Sequence, residues 1–468
     1  MVNNKNQNKF DTLREKHHCF TFEDFSYVIN NNCFQIQFFF NIDKNIYFKP
    51  TLSIPHRNIF KIFSEIETIS EIESIIFNIG MVELISYWKA ICPKKIVVKP
   101  FILSEKQIQF WKKLYFNGLG EFFYTNGIET NIDSFLEITS ESDINSSLVT
   151  IAETNYAIIP IGGGKDSVVT LELAKKEYKN IISLILNPRG ATIESAKAAG
   201  FEQPDFIEIN RTIDSNLLKL NDEGYLNGHT PFSALLAFTT VLAGKLAGIN
   251  NVVLSNESSA NEATIIGSNV NHQYSKSLEF ETDFRNYIHE FLAPNFNYYS
   301  YLRPLSELQI AALFAIEPKY HNIFKSCNAG SKTNSWCCNC PKCLFTFTIL
   351  SPFLENDYLS KIYGENLFEK QSMITYLREL TGIDNVKPFE CVGTTEEVNI
   401  ALCETIKKWD TKKPLPLLLN YFKNSDIFEK YKSIDFKKFM LNFDKNHFLN
   451  DNEFANLKIK IEWILSKY

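Results

Sequence analysis

The feature that most constrains this chain is a run of three glycines between an apolar strand candidate and a helix candidate. Residues 156–161 form the strand candidate, and residues 167–176 form an apolar helix candidate ending in two lysines, which suit the negative end of a helix dipole. Glycines permit close backbone approach to a ligand, and a helix N-terminus offers unpaired N–H groups and partial positive charge. We therefore expect a phosphate-binding loop, whose residues are Gly162, Gly163, Gly164, Lys165, Asp166 and Ser167.

The loop differs from the two best-known phosphate-binding loops. Asp166 follows Lys165 where a Walker loop has Ser or Thr, and neither the four-residue Walker spacer nor the G-x-G-x-x-G spacing is present. Lys165 would add a full positive charge, while Asp166 and Ser167 could cap the helix or meet a metal-bound phosphate oxygen. The alternative is a simple glycine turn before a helix, which the Lys-Asp-Ser sequence disfavours.

The pattern around this loop predicts an α/β fold with a doubly wound parallel sheet. Short apolar strand candidates at 156–161, 181–186, 206–209 and 252–254 alternate with helix candidates, including an almost wholly apolar one after Thr230 and Pro231. Ligands of such sheets lie beyond the carboxyl ends of the strands. Gly162, Asn187 and Ser255 fall at those ends and are expected to bind nucleotide.

The rest of the chain predicts additional modules. Residues 1–138 mix strand-like segments (33–40 and 96–103) with helix-like ones (59–72 and 105–115), which indicates an N-terminal α/β module. A polar stretch at 139–155 is typical of a linker. The catalytic domain is expected at 156–350, followed by a mainly helical C-terminal region at 351–468.

Charge and hydropathy exclude two classes of partner. The formal net charge is -6, which gives no general attraction to nucleic acid. The first twenty residues are polar where a secretory signal would be apolar, and no apolar run approaches the roughly 20 residues that span a bilayer. We therefore expect no bulk nucleic-acid binding, no membrane partner and a cytoplasmic location.

Half of the ten cysteines are scattered and half are clustered. The scattered ones are expected to behave as small buried hydrophobes, because the cytosol keeps thiols reduced: Cys19, Cys33, Cys92, Cys391 and Cys403. The clustered ones follow C-x9-C-x2-C-x2-C, a spacing that can surround a structural zinc ion: Cys327, Cys337, Cys340 and Cys343. Cys338 could replace a neighbour or be buried. Unligated thiols and an iron–sulfur cluster remain alternatives.

Two of these motifs resemble the ATP-pyrophosphatase superfamily. The glycine loop resembles its S-G-G-x-D-S loop, which implies cleavage of ATP between the α and β phosphates. Gly162 replaces the first serine, so a phosphate contact from that hydroxyl is in doubt. The cysteine cluster resembles the zinc motif of 7-cyano-7-deazaguanine synthases, another branch of this superfamily.

Further segments resemble the MurL epimerases of peptidoglycan synthesis: LNGHTP (226–231), LSNESSA (254–260), VNHQYSKSLEFE (270–281) and WCCNCPKCLF (336–345). The resemblance implies that ATP and Mg²⁺ adenylylate the terminal L-glutamate of UDP-N-acetylmuramoyl-L-alanyl-L-glutamate. The α-carbon is then inverted and the adenylate hydrolysed, with release of AMP and pyrophosphate. The UDP-linked muramoyl dipeptide is the implied substrate.

The same segments supply candidate catalytic residues beside Asp166. The resemblance implies proton-transfer roles for His272 and Lys276, and a base or magnesium contact for Glu257; His229 is a further candidate. Histidines are more often structural, and Lys276 could lie on a solvated helix face, as could Glu279, Glu281 and Asp283. Other functions remain open: a nucleoside- or tRNA-modifying ligase or sulfurtransferase acting by adenylylation, or a non-catalytic nucleotide-binding scaffold.

Overall fold

The computed structural model describes residues 6–30, 33–55, 69–202, 206–264, 270–384, 387–409 and 413–468. Eleven strands in these residues form one sheet. The strands are β1 (Cys19–Ile29), β2 (Cys33–Ile42), β3 (Ile46–Phe48), β4 (Thr51–Pro55), β5 (Lys95–Val98), β6 (Glu137–Ser140), β7 (Tyr156–Pro160), β8 (Asn180–Leu186), β9 (Phe206–Thr212), β10 (Asn251–Leu254) and β11 (Asn297–Ser300).

The sheet has two parallel parts joined by an antiparallel one. Its order is β11-β10-β7-β8-β9-β4-β2-β1-β5-β6, with β3 paired to β2. Neighbours from β11 to β9 are parallel, as are β1, β5 and β6. The pairs β9–β4, β4–β2 and β2–β1 are antiparallel. The strands before and after the glycine loop therefore belong to one continuous mixed sheet.

Helices cover this sheet and continue beyond it in the C-terminal part. They are α1 (Gln7–Lys16), α2 (Ile69–Glu83), α3 (Ile85–Trp88), α4 (Glu105–Gly118), α5 (Gly120–Asn126), α6 (Lys165–Ala174), α7 (Gly190–Ala198), α8 (Ser215–Asp222), α9 (Phe232–Ala247), α10 (Leu278–Phe291), α11 (Glu307–Ala315), α12 (Pro341–Leu350), α13 (Asn356–Tyr363), α14 (Ile374–Thr381), α15 (Thr395–Lys408), α16 (Leu417–Lys423), α17 (Asp426–Tyr431), α18 (Phe436–Met440) and α19 (Asp451–Lys467).

Two apolar clusters hold the layers together. One packs α2, α4, α9 and α10 against the N-terminal strands and one side of the parallel strands. The other packs α6, α11, α12 and the C-terminal helices against further parallel-strand residues. Helix α9 is nearly all buried, as its apolar sequence predicts, but it begins at Phe232 with Pro231 as N-cap, so Thr230 is not the cap.

The predicted α/β class and the parallel strands around the glycine loop are confirmed. The purely parallel sheet is not observed, because the antiparallel pair β4–β9 extends the parallel strands into a mixed sheet. The helix expected over 59–72 lies largely outside the described residues, and α2 begins at Ile69. Within the described residues, no helix is both long and apolar enough to cross a membrane.

Candidate active site

The glycine turn between β7 and α6 is shaped by backbone that only glycine accommodates easily. Gly163 has φ of +79°, and a Cβ there would lie 3.1 Å from the Cβ of Ala191 in the neighbouring helix α7. Gly164 is the N-cap of α6. Gly162 has open space where its Cβ would stand, so the turn presents bare backbone to a cavity.

That cavity has a volume of about 350 Å³ and lies beyond the carboxyl ends of β7, β8 and β10. The first residues of α6, α7, α9 and α12 contribute to its wall, so several helix N-termini converge on it. Converging N-termini favour an anionic ligand. The polar residues that line it include Asp166, Ser167, Arg189, Ser255, Glu257, Lys276, Glu307, Lys325, Lys342, Glu390 and Cys391.

Lys165 is buried and is not among the residues that line this cavity. Its ammonium is buried and donates to Asp166 at 2.5 Å and to Glu307 at the start of α11. The full charge expected at the phosphate position is therefore paired with carboxylates, and the cationic side chains that line the cavity are Arg189, Lys276, Lys325 and Lys342.

Four carboxylates line the cavity, and three of them belong to residues of the parallel-strand region and its helices: Asp166, Glu257 and Glu307. Burial raises the pKa of Glu307, and the charges of Asp166 and Glu257 raise it further. Burial would also raise the pKa of Asp166, but Lys165 and Lys342 hold it below its usual value. Oxygen ligands of this kind suit Mg²⁺, so Asp166 and Glu257 could bind a magnesium ion together with phosphate.

The buried ion pair of Arg303 and Glu281 is hydrogen-bonded to the backbone of Glu257 and Lys276. The guanidinium of Arg303 is fully buried and donates at 2.7 Å to the carbonyls of Glu257 and Lys276. It also donates at 2.7 Å to the buried carboxylate of Glu281, which accepts from Ser300. The sequence left open that Glu281 lies on a solvated helix face. That interpretation is wrong, because only 1% of the residue is exposed.

His272 lies beside the cavity in a hydrogen-bonded group with Glu121, from α5. The carboxylate of Glu121 contacts Nδ1 of His272 and lies 3.5 Å from Nδ1 of His229. Burial would lower the pKa of His272, but hydrogen bonds with Cys391 and Glu121 raise it to about 9. Burial and the charge of His272 lower the pKa of His229 to about 4. The pKa values of the two histidines are therefore shifted in opposite directions, although both rings lie against the same carboxylate.

Cys391, expected to be a small buried hydrophobe, contacts two of the candidate catalytic residues. Its Sγ accepts a hydrogen bond from Nζ of Lys276 at 3.1 Å. Burial would raise the pKa of the Cys391 thiol, but Lys276 and a hydrogen bond with His272 lower it to about 6. The lowered pKa favours the thiolate form of a residue that lines the cavity.

Cys327, Cys337, Cys340 and Cys343 lie together, with their sulfur atoms all within 4.8 Å of one another. Three of the Sγ–Sγ distances are 3.5, 3.7 and 3.9 Å. Four thiolates held about 2.3 Å from a tetrahedral zinc ion would stand about 3.8 Å apart. Backbone N–H groups of Gly330, Asn339 and Cys343 donate to these sulfurs, as they do to metal-bound thiolates.

The cysteine cluster adjoins the glycine loop. The fifth cysteine of this region, Cys338, is turned away from the four clustered sulfur atoms, since its Sγ donates to the carbonyl of Tyr363 at 3.2 Å. Cys327 and Lys342 line the cavity, and the backbone N–H of Lys325 donates to the carbonyl of Gly163 at 2.8 Å. A metal bound to the four sulfurs would therefore fix the segment that packs on the phosphate loop.

The cavity brings together most, but not all, of the residues selected from the sequence. Gly162, Gly164, Asp166, Ser167, Ser255, Glu257 and Lys276 line it. The side chain of Asn187 is engaged elsewhere, because its Oδ1 accepts from the backbone of Arg211 at 2.8 Å. Glu307, Lys342 and Cys391 were not selected: no sequence pattern around Glu307 or Cys391 indicates a site, and Lys342 lies in a segment that was interpreted only through its cysteines.

These features define an α/β protein with a cavity beyond the carboxyl ends of parallel strands, onto which several helix N-termini converge. Residues 11–301 match the family model of the MurL N-terminal domain, and residues 323–427 match that of the MurL C-terminal domain. The chain belongs to the MurL family, which confirms the resemblance seen in its motifs.

Curated relatives cover a similar part of the chain, and each is named UDP-N-acetyl-alpha-D-muramoyl-L-alanyl-L-glutamate epimerase. The relative from Micromonospora sp. is 34% identical over 344 residues, which is 72% of this chain and 75% of the relative. The relative from Salinispora tropica is 32% identical over 72% of this chain and 74% of its own length. The relative from Xanthomonas oryzae pv. oryzae is 32% identical over 70% of this chain and 74% of its own length.

Proposed function

We propose that the protein converts the terminal L-glutamate of UDP-N-acetylmuramoyl-L-alanyl-L-glutamate to D-glutamate, using ATP to activate the glutamate carboxylate. The substrate follows from the names of the relatives. The observation that carries the ATP-dependent mechanism is the glycine turn, which opens its backbone into a cavity with converging helix N-termini. On this basis we place the chain in the ATP-pyrophosphatase superfamily.

The need for ATP follows from the acidity of the α-carbon. A free carboxylate resists loss of its α-proton because the product would carry a second negative charge on the same group. An acyl adenylate has no charge on its carbonyl, so the electron pair left by the proton can move onto the carbonyl oxygen. Joining AMP to the glutamate therefore acidifies the α-carbon, and a donor or metal ion near that oxygen would stabilise it further.

The residues of the cavity fit ATP and Mg²⁺. The exposed N–H groups of the glycine turn and of α6 suit the phosphates, and Lys342 and Arg189 add positive charge. The buried Oγ of Ser255 has no hydrogen-bond partner among the described residues, so it is available to a ligand. In this proposal Asp166 and Glu257 face a magnesium ion that bridges phosphate oxygens.

The cysteine cluster fits a structural zinc ion. Four sulfur ligands would leave no open coordination position, so the metal would take no part in the chemistry. Its role would be to hold Lys342 and the segment around Lys325 against the phosphate loop. We place the enzyme in the cytoplasm, where ATP and reduced thiols are available.

The direct test is to incubate the purified protein with ATP, Mg²⁺ and the L-alanyl-L-glutamyl nucleotide. We expect D-glutamate in the product hydrolysate, measured by chiral derivatisation, with one AMP and one pyrophosphate for each turnover. A substrate that ends at L-alanine is the control and should release no pyrophosphate. Absence of D-glutamate and pyrophosphate with the full substrate would reject the proposal.

A pair of variants tests the role of the loop. Asp166→Asn removes a carboxylate that lines the cavity and should lower pyrophosphate release by about 100-fold or more, because an electrostatic contact to the transition state is lost. Asp143→Asn makes the same chemical change at an exposed position and should leave the rate unchanged. Equal rates for the two variants would remove Asp166 from the mechanism.

A further inference from the structure

The cavity contains a reactive group that the proposed reaction has not yet used. Cys391 lies between the end of α14 and the start of α15, and it lines the same cavity as the glycine turn. It lies within the region that matches the MurL C-terminal domain. It forms no disulfide and is not one of the four clustered cysteines.

The surroundings of Cys391 differ from those of the structural cysteines. Nζ of Lys276 donates to its sulfur at 3.1 Å, and the interaction with His272 further lowers the pKa of its thiol. His272 in turn is hydrogen-bonded through Nδ1 to Glu121. By contrast, Cys403 is buried in α15, and burial raises the pKa of its thiol to about 12, with Lys407 opposing the rise only in part. Lys276 and His272 thus favour a thiolate at Cys391, whereas burial favours the neutral thiol at Cys403.

The same contacts change the roles expected for His272 and Lys276. The charge of Cys391 raises the pKa of Lys276, and His272 is also held in its charged form. An ammonium and an imidazolium have no lone pair with which to take a proton. A thiolate at Cys391 does have one, and Cys391 lines the cavity in which the glutamyl group would be activated.

We propose that the sulfur of Cys391 takes the proton from the α-carbon of the activated glutamyl group, an assignment that rests on the proposed function. The Cα–H bond breaks, an S–H bond forms, and the electron pair moves onto the carbonyl oxygen of the acyl adenylate. A proton of solvent origin added to the opposite face completes inversion, and the thiol returns its proton to solvent. Lys276 and His272 are positioning residues that keep the sulfur ionised.

The test separates activation from proton transfer. Wild type, Cys391→Ser and Cys403→Ala are each incubated in D₂O with ATP, Mg²⁺ and the L-alanyl-L-glutamyl nucleotide. AMP release reports activation, while deuterium at the α-carbon and D-glutamate report proton transfer. In Cys391→Ser we expect AMP release within about threefold of wild type and a loss of deuterium incorporation of about 100-fold or more. Cys403→Ala should match wild type in both measurements.

Three results would overturn the assignment. The first is deuterium incorporation by Cys391→Ser within tenfold of wild type. The second is an equal loss of AMP release and of deuterium incorporation in a variant with a wild-type circular dichroism spectrum. The third is an acyl group bound to wild-type Cys391 in intact-mass measurements, which would make the sulfur a nucleophile. Failure of wild type itself to release AMP would instead reject the proposed function.

Alkylation of wild type avoids any folding defect in the variant. Iodoacetamide added to the folded enzyme should modify Cys391, as located by peptide mass mapping, and should abolish deuterium incorporation while AMP release continues. Prior addition of the nucleotide substrate should slow the modification, because the thiolate lines the substrate cavity. Full epimerase activity after complete alkylation of Cys391 would overturn the proposal.

Discussion

Replacing Arg303 should both destabilise the protein and disorganise the site, because one buried guanidinium donates to four acceptors, three of them at 2.7 Å. It donates to the carbonyls of Glu257 and Lys276 and to the carboxylate of Glu281. Arg303→Met would leave the Glu281 charge buried without its partner, which costs about 3–5 kcal/mol of unfolding free energy. Arg303→Lys keeps the charge but loses the planar fork, and we expect a loss of about 2 kcal/mol, roughly one charge-assisted hydrogen bond.

Urea unfolding followed by tryptophan fluorescence measures these differences. The double variant Arg303→Met with Glu281→Leu should lose less than the sum of the two single variants, because the unpaired buried charge is gone. Arg378→Lys is the matched control; the side chains of its ion pair with Asp384 are 40% and 35% exposed, and the change should have a much smaller effect on stability.

The epimerase rate of the Arg303 variants should fall even under conditions in which the variants remain folded. A displacement of about 1 Å of a reacting group can lower a rate by about 100-fold, and the backbone of both Glu257 and Lys276 depends on Arg303. Epimerase assays on the folded variants at 25 °C measure this effect. Unfolding free energies within about 0.5 kcal/mol of wild type for both Arg303 variants would refute the reasoning.

Other parts of the site give three shorter predictions. Cys340→Ser should lower the bound zinc measured by mass spectrometry and lower the melting temperature, whereas Cys338→Ser should retain the metal; equal zinc contents would dismiss the four-sulfur site. Gly163→Ala should impair ATP turnover more than Gly200→Ala, because both have positive φ but only Gly163 has atoms within 4 Å of the new methyl group; similar rates would contradict this. The pKa of His229 is lowered to about 4 in the folded protein, so between pH 6.5 and 4 the unfolded chain binds a proton at this residue that the folded protein does not. The unfolding free energy of wild type relative to that of His229→Gln should therefore fall as the pH drops from 6.5 to 4. A difference in unfolding free energy that stays constant over this range in urea unfolding would contradict the prediction.

Local features of the fold were predictable because they depend on neighbouring residues. Three glycines between an apolar strand and a helix define a turn, and the structure has β7, the turn and α6 within a few residues of the predicted positions. The cysteine spacing likewise predicted four sulfur atoms in one place. Both patterns combine chain geometry with side-chain chemistry over a short stretch.

Features that depend on long-range contacts were not predictable. Lys165 was expected to face phosphate, yet it pairs with Glu307, more than a hundred residues away in the chain. Glu281 belongs to an amphipathic helix pattern that suits a solvated face, and Arg303 reverses that interpretation. Cys391 has no local pattern at all; its chemistry comes from Lys276, which the fold brings to it.

The antiparallel pair between β4 and β9 has a consequence for any shortened form of the protein. Three residues of β4, Thr51 to Ser53, are paired with Thr212 to Asn210. A fragment that begins at residue 139 would lack β4, and β9 would become a free sheet edge with unpaired N–H and C=O groups. Such an edge is a template for intermolecular strand addition, so the fragment would tend to self-associate. The same cut would remove Glu121 of α5, which contacts His272. The N-terminal part of the chain therefore has two roles: its strands cover the sheet edge, and α5 supplies a side chain beside the cavity.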